Sequence, residues 1–360
     1  MKILYLINNL SNGGAEKLLS DLLPSLKSEF DIEVLLLNNE NNTEKYITIL
    51  RNSDIKVSFL SQKQVGFIGL ICRLFTYVKG SKFDLIHVNL FPAFYCAIIT
   101  KILLKNIKLI YTEHTTTNRR SETVYGRLLD QIVYLFYDKI IAISNDVRSS
   151  LILRRVNSKR IIVIENGIDL LKFNPFCIKE KKLRKIGMAG RLCHPKDQAT
   201  IIRSLRQLPE NIQLLLAGTG TDSTKLVKLA TDLGVIKRIF FLGIVTNIRE
   251  YYESIDIHIC SSKFEGFGLS AVESMAVGIP TIASDVPGLR EVVSGGGQLF
   301  QYGDDKKLSS LILELYEKDE IYKQYSQMGI KKAQEYDITN MSNRYKSLYQ
   351  NIINNTLCAE

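Results

Sequence analysis

The sequence is poor in the residues with which proteins usually hold metal ions. Its four histidines are scattered, its six cysteines form no Cys-x-x-Cys pair, and no Asp-x-Asp occurs. Because zinc and magnesium sites need such side chains close together, we expect no metal held by the protein. Unpaired cysteines in a chain without an export signal are typical of reduced, mostly buried thiols in a cytosolic protein.

Long apolar runs are also missing. The most apolar windows, Val65–Cys72 and Leu90–Thr100, are interrupted by Arg73 and Lys101, well short of the roughly 20 residues that span a bilayer. The N-terminal apolar stretch is too short for a signal peptide and has no small-residue cleavage site. We therefore expect a cytoplasmic protein that is soluble or, at most, peripheral on the inner face of the cytoplasmic membrane.

The motifs of several enzyme classes are absent. The sequence contains no Gly-x-Ser-x-Gly and no Gly-Lys-Ser/Thr of a P-loop. The motifs that usually identify hydrolases and kinases are therefore missing. A Gly218-Thr219-Gly220 run follows a predicted strand, but Ser223 stands where a dinucleotide fingerprint needs its third glycine.

Positive charge is present in excess and unevenly placed. The formal net charge is +10, and residues 56–160 hold 17 Lys and Arg against 6 Asp and Glu, a net +11. This excess is either a basic surface without a function or an attraction to an anionic membrane or phosphorylated acceptor. Nucleic-acid binding lacks a recognised motif or an aromatic stacking platform.

Apolar strands alternate with helices in two series, which predicts two α/β domains with parallel sheets. A chain of 360 residues suits two domains, and Asn166–Lys185 has linker chemistry. In the first helix Pro24 is expected to kink or shorten the leucine-rich pattern, and Met341–Leu357 predicts a final helix. The strands of the first series are predicted at Ile3–Ile7, Ile32–Leu37, Val57–Leu60, Leu85–Val88, Leu109–Thr112 and Lys139–Ser144. Those of the second are predicted at Ile186–Ala189, Gln213–Ala217, Ile239–Leu242, Asp256–Cys260 and Thr281–Ala283.

The loop Gly190–Lys196 follows the first strand of the second series, at the end where parallel sheets bind ligands. Arg191 can make forked contacts with phosphate oxygens, and Lys196 adds a compact positive charge. Together they would neutralise a departing diphosphate without a metal. By spacing alone, two solvated surface charges are the more common explanation.

Two carboxylates, Glu265 and Glu273, flank a glycine-rich turn between a predicted strand and a helix that begins near Leu269. Gly266 and Gly268 allow the backbone to approach a ligand, and the helix start offers free N–H groups. Glu273 suits a vicinal diol such as ribose, and Glu265 a sugar hydroxyl. The alternative without a binding role is that Glu265 is a surface charge and Glu273 an ordinary helix carboxylate.

Two weaker candidates lie in the first half. Gly13-Gly14, after the first strand, either cradles a phosphate or sugar or is a plain strand-to-helix turn. His114, just past another strand, either bonds a sugar hydroxyl or is structural, as a lone histidine more often is.

Taken together, these segments resemble glycosyltransferase family 4, retaining enzymes of the GT-B fold, over nearly the whole chain. The resemblance implies two Rossmann-like doubly wound parallel-sheet α/β domains facing across a cleft. They would be an acceptor-binding domain at 1–174 and a nucleotide-sugar-binding domain at 175–340, with a helix at 341–360 returning to the first domain. Five segments in the family's order carry it: Gly13–Glu16, Glu165–Asp169, Gly190–Lys196, Glu265–Glu273 and Asp285–Glu291.

The resemblance implies a role for each matching residue. Arg191 and Lys196 would bind the diphosphate, Glu273 the ribose and Glu265 the donor sugar, with His114 near the reaction centre. The implied catalytic residues are Glu265, His114, Arg191 and Lys196. The implied donor-binding residues are Gly14, Arg191, Lys196, Gly243, Ile244, Val245, Glu265, Gly266, Phe267, Gly268, Leu269 and Glu273.

The activity implied is sugar transfer from a nucleotide diphosphate sugar, by family habit a UDP-sugar, with retained configuration and no cofactor. The acceptor would be a glycan or a polyprenyl-diphosphate-linked sugar in surface polysaccharide synthesis. Acceptor or membrane contact would fall on Lys101, Lys105, Arg119 and Arg120. A nucleotide-sugar epimerase of the same fold and a non-catalytic nucleotide-sugar-binding protein are the alternatives.

Overall fold

A computed structural model describes residues 1–40, 42–62, 65–104, 106–117, 123–176 and 185–357, the side chains of the last helix as far as residue 352. The chain divides into two compact units. Unit 1 comprises Met1–Gly167 with Ile338–Glu360, and unit 2 comprises Ile168–Asp337. Each unit is built around one parallel sheet.

The sheet of unit 1 has seven strands in the order β3-β2-β1-β4-β5-β6-β7. Because the strand order reverses between β1 and β4, the connections that leave their carboxyl ends run in opposite directions and leave room for a ligand between them. The strands are β1 (Lys2–Ile7), β2 (Asp31–Leu36), β3 (Lys56–Phe59), β4 (Leu85–Asn89), β5 (Lys108–Glu113), β6 (Lys139–Ala142) and β7 (Ile161–Val163). The helices are α1 (Gly14–Lys27), α2 (Glu44–Asn52), α3 (Phe67–Ser81), α4 (Ala93–Cys96), α5 (Ile98–Leu103), α6 (Val124–Tyr134), α7 (Asn145–Leu153) and α15 (Ile338–Leu357).

The sheet of unit 2 has six strands in the order β10-β9-β8-β11-β12-β13, so its reversal lies between β8 and β11. The strands are β8 (Lys185–Ala189), β9 (Gln213–Ala217), β10 (Ile239–Gly243), β11 (Ile257–Cys260), β12 (Thr281–Ser284) and β13 (Gln298–Phe300). The helices are α8 (Gln198–Ser204), α9 (Ser223–Asp232), α10 (Ile248–Ser254), α11 (Leu269–Ala276), α12 (Arg290–Val293), α13 (Asp305–Glu317) and α14 (Asp319–Ala333).

The predicted strands are confirmed to within two residues at either end. Two further strands, β7 and β13, escape the sequence pattern because each has only three residues. The central strands read as continuous apolar runs because helices cover both of their faces, and the side chains of Ile3–Ile7 are fully buried.

Of the kink or shortening expected at Pro24, the shortening is wrong, because α1 continues to Lys27. Leu22, Leu23 and Leu26, on either side of the proline, are fully buried. Burying each leucine stabilises the helix by about 1.5–3 kcal/mol. Three such side chains outweigh the roughly 3 kcal/mol that a proline costs inside a helix.

The final helix is confirmed, and α15 packs within unit 1. One face of this helix is buried, with Tyr345 and Tyr349 among its members. Tyr349 lies edge-on to Phe30, and Ser342 hydrogen-bonds Ser25 of α1 at 2.8 Å. Among the helices in the described part of the chain, none is both long and apolar enough to cross a membrane.

Candidate functional site

The strand-order reversal in unit 2 holds the two loops that the sequence singles out. One loop follows β8 at Gly190, and the other follows β11 at Ser261. Hydrogen bonds tie them together: Ser261 Oγ donates to the Asp197 carbonyl at 2.8 Å, and the Lys263 N–H donates to the Pro195 carbonyl at 2.8 Å. The loops therefore form one rigid edge at the carboxyl ends of the strands.

Lys196 and Glu265 meet directly at this edge. Lys196 Nζ donates to Glu265 Oε2, and Ser262 Oγ donates to the same oxygen at 3.2 Å. Burial by itself would lower the pKa of Lys196, but the Glu265 carboxylate outweighs that effect and the pKa is raised. Lys196 is thus a charged donor in a largely buried position. The sequence predicted both residues for the site but gave no sign that they pair.

Arg191 stands in the same loop with an exposed side chain. Its carbonyl accepts a hydrogen bond from Gln198 Nε2 at 2.9 Å, which fixes the backbone. Its guanidinium forms no hydrogen bond or ion pair with any residue that the structure describes. A Cβ at Gly218 would lie 2.0 Å from the Gly190 carbonyl, so the neighbouring loop needs glycine there. The arrangement leaves the arginine fork available for an anion.

Glu273 lies at the start of the second turn of α11 and is almost fully buried. Tyr252 Oη of α10 donates to Glu273 Oε2 at 2.9 Å. Burial, and then the nearby Glu273 carboxylate, raise the pKa of Tyr252 well above its usual value. Tyr252 was missed by the sequence analysis, since nothing in a tyrosine pair within a helix identifies an orienting partner.

The turn before α11 is shaped by two glycines. Gly268 has φ 91°, and a Cβ there would lie 2.5 Å from Leu289 Cδ2. Gly288 has φ 84°, and a Cβ there would lie 2.4 Å from the Glu265 carbonyl. Gly266, buried Phe267 and Leu269 complete this turn, so α11 begins close to the Lys196–Glu265 pair. The first N–H groups of a helix have no partner within it and favour an anion.

Gly243, Ile244 and Val245 lie at the carboxyl end of β10, the edge strand next to β9. Gly243 has φ 66°, and its carbonyl accepts from the Gly218 N–H at 2.7 Å. The structure thus links this turn to the loop after β9, which itself contacts the loop after β8. Ile244 is exposed.

The strand-order reversal in unit 1 carries Gly13 and Gly14. Gly13 precedes α1, and Ser11 Oγ donates to Glu16 Oε1 at 2.8 Å. A Cβ at Gly13 would lie 2.1 Å from Glu16 Oε2, so this glycine is needed to let the carboxylate fold back. Gly14 is the exposed first residue of α1. The glycine that the local packing requires is therefore Gly13, while Gly14 stays open.

His114 follows β5, and its Nε2 lies 3.0 Å from Asn89 Oδ1 at the end of β4. Burial lowers the pKa of His114 to about 4, so the ring is neutral near pH 7. The preceding Glu113 fixes the loop: it accepts from Tyr134 Oη at 2.8 Å and pairs with Arg154 at 3.6 Å. His114 is thus held in place at the same sheet edge as Gly14.

A second buried histidine, His87, lies behind this edge. Its Nδ1 is 2.6 Å from Tyr349 Oη, and its Nε2 is 2.7 Å from Thr112 Oγ1. Tyr349 Oη also hydrogen-bonds Tyr5 Oη. Burial lowers the pKa of His87 to about 3, followed by a smaller effect of His114. This network fastens α15 to the sheet, and no sequence motif marks it.

Of the four basic residues predicted for acceptor or membrane contact, three lie outside the described residues: Lys105, Arg119 and Arg120. The fourth, Lys101, has internal partners. Its ammonium pairs with Asp138 at 2.7 Å and donates to the Ile107 carbonyl at 2.9 Å. Within the described ranges, no group of three or more His, Cys, Asp or Glu could hold a metal ion. Metal independence remains a prediction.

Comparison with known proteins places the chain among sugar-transferring enzymes. Residues 12–171 match the model of Glycosyltransferase Family 4, and residues 174–332 match that of Glycosyl transferases group 1. Together the two models cover most of the chain.

Two curated relatives match the chain over more than nine tenths of its length. A Campylobacter jejuni N-acetylgalactosamine-N,N'-diacetylbacillosaminyl-diphospho-undecaprenol 4-alpha-N-acetylgalactosaminyltransferase is 22% identical, over 93% of this chain and 96% of its own length. The Escherichia coli O-antigen biosynthesis glycosyltransferase WclY is 21% identical, over 99% and 100% respectively. Anabaena HepE, solved in complex with UDP and glucose, superposes with a TM-score of 0.87 at 22% identity, over 98% of this chain and all of HepE. The fold is GT-B.

Proposed function

The chain belongs to glycosyltransferase family 4, and from this premise we propose that it transfers a sugar from a UDP-sugar with retained configuration and without a metal. The observation that carries the proposal is the cluster at the β8/β11 reversal: Arg191, Lys196 and the start of α11 lie on one edge. Two cations and a helix N-terminus would stabilise a departing diphosphate. A UDP donor is supported by HepE, whose structure holds UDP and glucose.

The remaining site residues would each bind a different part of the donor. Glu273, oriented by Tyr252, would accept two hydrogen bonds from the ribose hydroxyls. Glu265 would hold a hydroxyl of the transferred sugar, since Lys196 and Ser262 fix its carboxylate. The Gly243–Val245 turn would lie beside the base.

The reaction we propose is a front-face displacement. The bond from the anomeric carbon to the diphosphate oxygen breaks, and a bond to the acceptor oxygen forms on the same face. The acceptor's hydroxyl proton passes to the departing diphosphate, so no protein base is required. Lys196 and Arg191 would stabilise the charge that develops on the leaving group. The anomeric configuration of the product, read by NMR, tests retention directly.

The acceptor we propose is a glycan or a polyprenyl-diphosphate-linked sugar in surface polysaccharide synthesis. Two relatives support this class by name, one acting on a diphospho-undecaprenol-linked sugar and the other in O-antigen biosynthesis. We place the activity in the cytoplasm, with contact to the inner face of the membrane.

An apolar face on α6 supports membrane contact. Tyr125, Leu128 and Ile132 are more than half exposed, although they are large apolar residues. At about 100° per residue they fall on one stripe of the helix, roughly opposite the buried Tyr134. Residues 123–160 carry seven Lys and Arg against three Asp and Glu. An exposed apolar helix stripe in a chain segment with excess positive charge suits an anionic bilayer.

Vesicle flotation tests this part of the proposal. Wild type should float with vesicles containing anionic lipid at low salt, and Leu128→Asn with Ile132→Asn should remove most of the binding. The matched control is Leu171→Asn, which changes a leucine that is 91% exposed and stands alone in unit 2. Absence of wild-type binding to anionic vesicles would refute membrane contact without affecting the transfer reaction.

The transferase function is tested with a panel of UDP- and GDP-sugars in EDTA. One donor should bind and slowly release its diphosphate, and Arg191→Ala and Glu273→Ala should both lose this activity. Arg206→Ala, an exposed arginine of the same unit, is the matched control. If no nucleotide sugar binds, or if the two variants behave as wild type, the function as stated is wrong.

A further inference from the structure

One buried amide at the carboxyl edge of the unit 1 sheet leaves a hydrogen-bonding atom unpaired. Asn89 ends β4 and is 1% exposed. Its Oδ1 lies 3.0 Å from His114 Nε2, whereas its Nδ2 is buried and has no hydrogen-bond partner among the described residues. Burying an unpaired amide donor opposes folding. A hydrophobic side chain of similar size would avoid that cost. The favourable contact that Asn89 makes is therefore the one from its Oδ1 to His114.

The backbone around Asn89 is held in an unusual conformation. The next residue, Leu90, has φ 61°, which is rare for a side chain without glycine's freedom. Asn8, just after β1, secures the loop: its Nδ2 donates to the Phe91 carbonyl, and its Oδ1 accepts from the Ala93 N–H at 3.3 Å. Such strained positions gather at functional sites.

The neighbouring ring of His114 offers two nitrogens with different surroundings. Its Nε2 faces Asn89 Oδ1, and its Nδ1 hydrogen-bonds no described residue. An amide oxygen can only accept, so Nε2 has to carry a proton. A neutral imidazole carries only one, which leaves Nδ1 as an acceptor.

We propose that Asn89 is a positioning residue that holds His114 with its proton on Nε2, so that Nδ1 accepts a hydrogen bond from a sugar hydroxyl. The nature of the ligand rests on the proposed function. The tautomer itself follows from the Asn89–His114 geometry and can be measured without any ligand.

The charged and titratable groups around His114 leave it neutral. On β4, buried His87 is bound to Tyr349 and Thr112. On β5, the Glu113 carboxylate is taken by Tyr134 of α6 and Arg154 of α7. Burial lowers the pKa of His114 to about 4, so near pH 7 the ring has one proton, and its location matters.

Nitrogen-15 NMR on histidine-labelled protein measures the tautomer. With four histidines in the chain, the signals of His114 are identified by their loss in His114→Gln. In wild type the proton should be on Nε2, and in Asn89→Leu the two tautomers should mix. A wild-type proton on Nδ1, or an unchanged tautomer in Asn89→Leu, would overturn the proposal. This result stands even if no nucleotide sugar proves to be a substrate.

Activity supplies a second readout, with the nucleotide sugar that wild type hydrolyses as the probe. Asn89→Leu should lower kcat/KM by about tenfold, the scale of one hydrogen bond. Asn89→Asp keeps an acceptor opposite Nε2, but its charge raises the pKa of His114 and should move the acid limb of the pH profile to higher pH. Identical pH profiles for Asn89→Asp and wild type would contradict the assignment.

The matched control is Gln298, a second buried amide with one unpaired atom. Gln298 Nε2 donates to Glu314 at 3.1 Å and its Oε1 has no partner among the described residues. It begins β13, at the opposite end of a strand from Asn89. Gln298→Met should leave activity and the pH profile unchanged. If Asn89→Leu fails to fold, Asn89→Asp and the wild-type tautomer still decide the question.

Discussion

Both units have a candidate binding edge at the carboxyl ends of their parallel strands, but the polar side chains at the two edges differ in charge. At the β8/β11 reversal of unit 2, Lys196 and Glu265 form an ion pair beside the exposed side chain of Arg191. At the corresponding edge of unit 1, the paired polar groups are the amide of Asn89 and the neutral ring of His114, while Ser11 holds the Glu16 carboxylate at the β1/β4 reversal. Strand order decides where a ligand can enter, and side chains decide which ligand. Charged groups suit a diphosphate, and neutral donors and acceptors suit sugar hydroxyls.

Bulk charge does not follow this division. The net +11 of residues 56–160 lies in unit 1, where Asn89 and His114 are both neutral. The cations of the proposed diphosphate site are two residues of unit 2. An argument from net charge alone would therefore place the anion in the other half of the chain from the proposed diphosphate site, because a site depends on a few well-oriented groups and not on bulk charge.

The largest effect on the reaction is expected when the cation that pairs with Glu265 is removed. Lys196→Met should lower the rate of diphosphate release about 10²–10³-fold, the usual loss when one group that stabilises the leaving charge is removed. The variant also leaves Glu265 with Ser262 as its remaining side-chain hydrogen-bond partner among those the structure identifies. Single-turnover kinetics with the donor that wild type uses would measure the rate.

Lys225→Met is the control for that change. Lys225 is a lysine of the same unit, largely exposed and paired with Asp222 at 3.3 Å. It should keep the wild-type rate. A loss below tenfold in Lys196→Met would contradict the electrostatic contrast between the two edges.

A smaller effect on UDP binding should distinguish Glu273, which we propose contacts the nucleotide, from Tyr252, which orients Glu273. Glu273→Gln should weaken UDP binding about 10- to 100-fold, because hydrogen bonds to a carboxylate contribute roughly 1.5–3 kcal/mol. Tyr252→Phe removes the bond that orients Glu273 and should weaken binding less than about tenfold. Titration calorimetry with UDP measures both. Equal losses in the two variants would mean that Tyr252 itself touches the nucleotide.

The dependence on pH distinguishes the units through their buried histidines. Burial lowers the pKa to about 3 for His87 and to about 4 for His114, both in unit 1, and to about 3 for His258 in unit 2. The unfolded ring titrates near pH 6.5. Below that pH the unfolded state binds more protons, so stability is present above about 6.5 and is lost as the pH falls toward 4.

Unit 1, with two such rings, should therefore lose stability more steeply between pH 6.5 and 4.5. Hydrogen exchange followed by mass spectrometry reports on peptides from each unit separately. His114→Gln should flatten the pH dependence of unit 1 and leave unit 2 unchanged. A steeper loss in unit 2 would contradict the assignment of causes.

Whether the sequence predicted a feature of these edges depends on how far apart along the chain the residues that form it lie. The loops with Arg191, Lys196 and Glu265 were found because a glycine-rich turn after a strand is a local pattern. The pairing of Lys196 with Glu265 and the contact of Asn89 with His114 join residues 69 and 25 positions apart. Such contacts exist only once adjacent strands are in register, so no local pattern contains them.

Pro24 shows the opposite failure, in which a local rule was applied where tertiary packing prevailed. The proline predicted a kink or an earlier end of α1, but the helix continues to Lys27, with buried leucines on either side of the proline. Short strands such as β13 were missed for a related reason. Three residues carry too little alternation to stand out, and the strand forms because β12 provides a partner.

The smallest expected effect concerns what holds each unit together. Tyr349→Phe removes hydrogen bonds from α15 to His87 and Tyr5, and should destabilise unit 1 by about 1–3 kcal/mol because His87 Nδ1 then stays buried without a partner. Its counterpart is Tyr322→Phe in unit 2, where Tyr322 Oη donates to the Asp256 carbonyl at 3.1 Å, and about 1 kcal/mol should be lost. Hydrogen exchange should assign each loss to its own unit, and UDP affinity should stay at the wild-type value in both variants. A drop in UDP affinity in Tyr349→Phe would show that the neutral edge influences nucleotide binding, and the division of labour between the two edges would have to be given up.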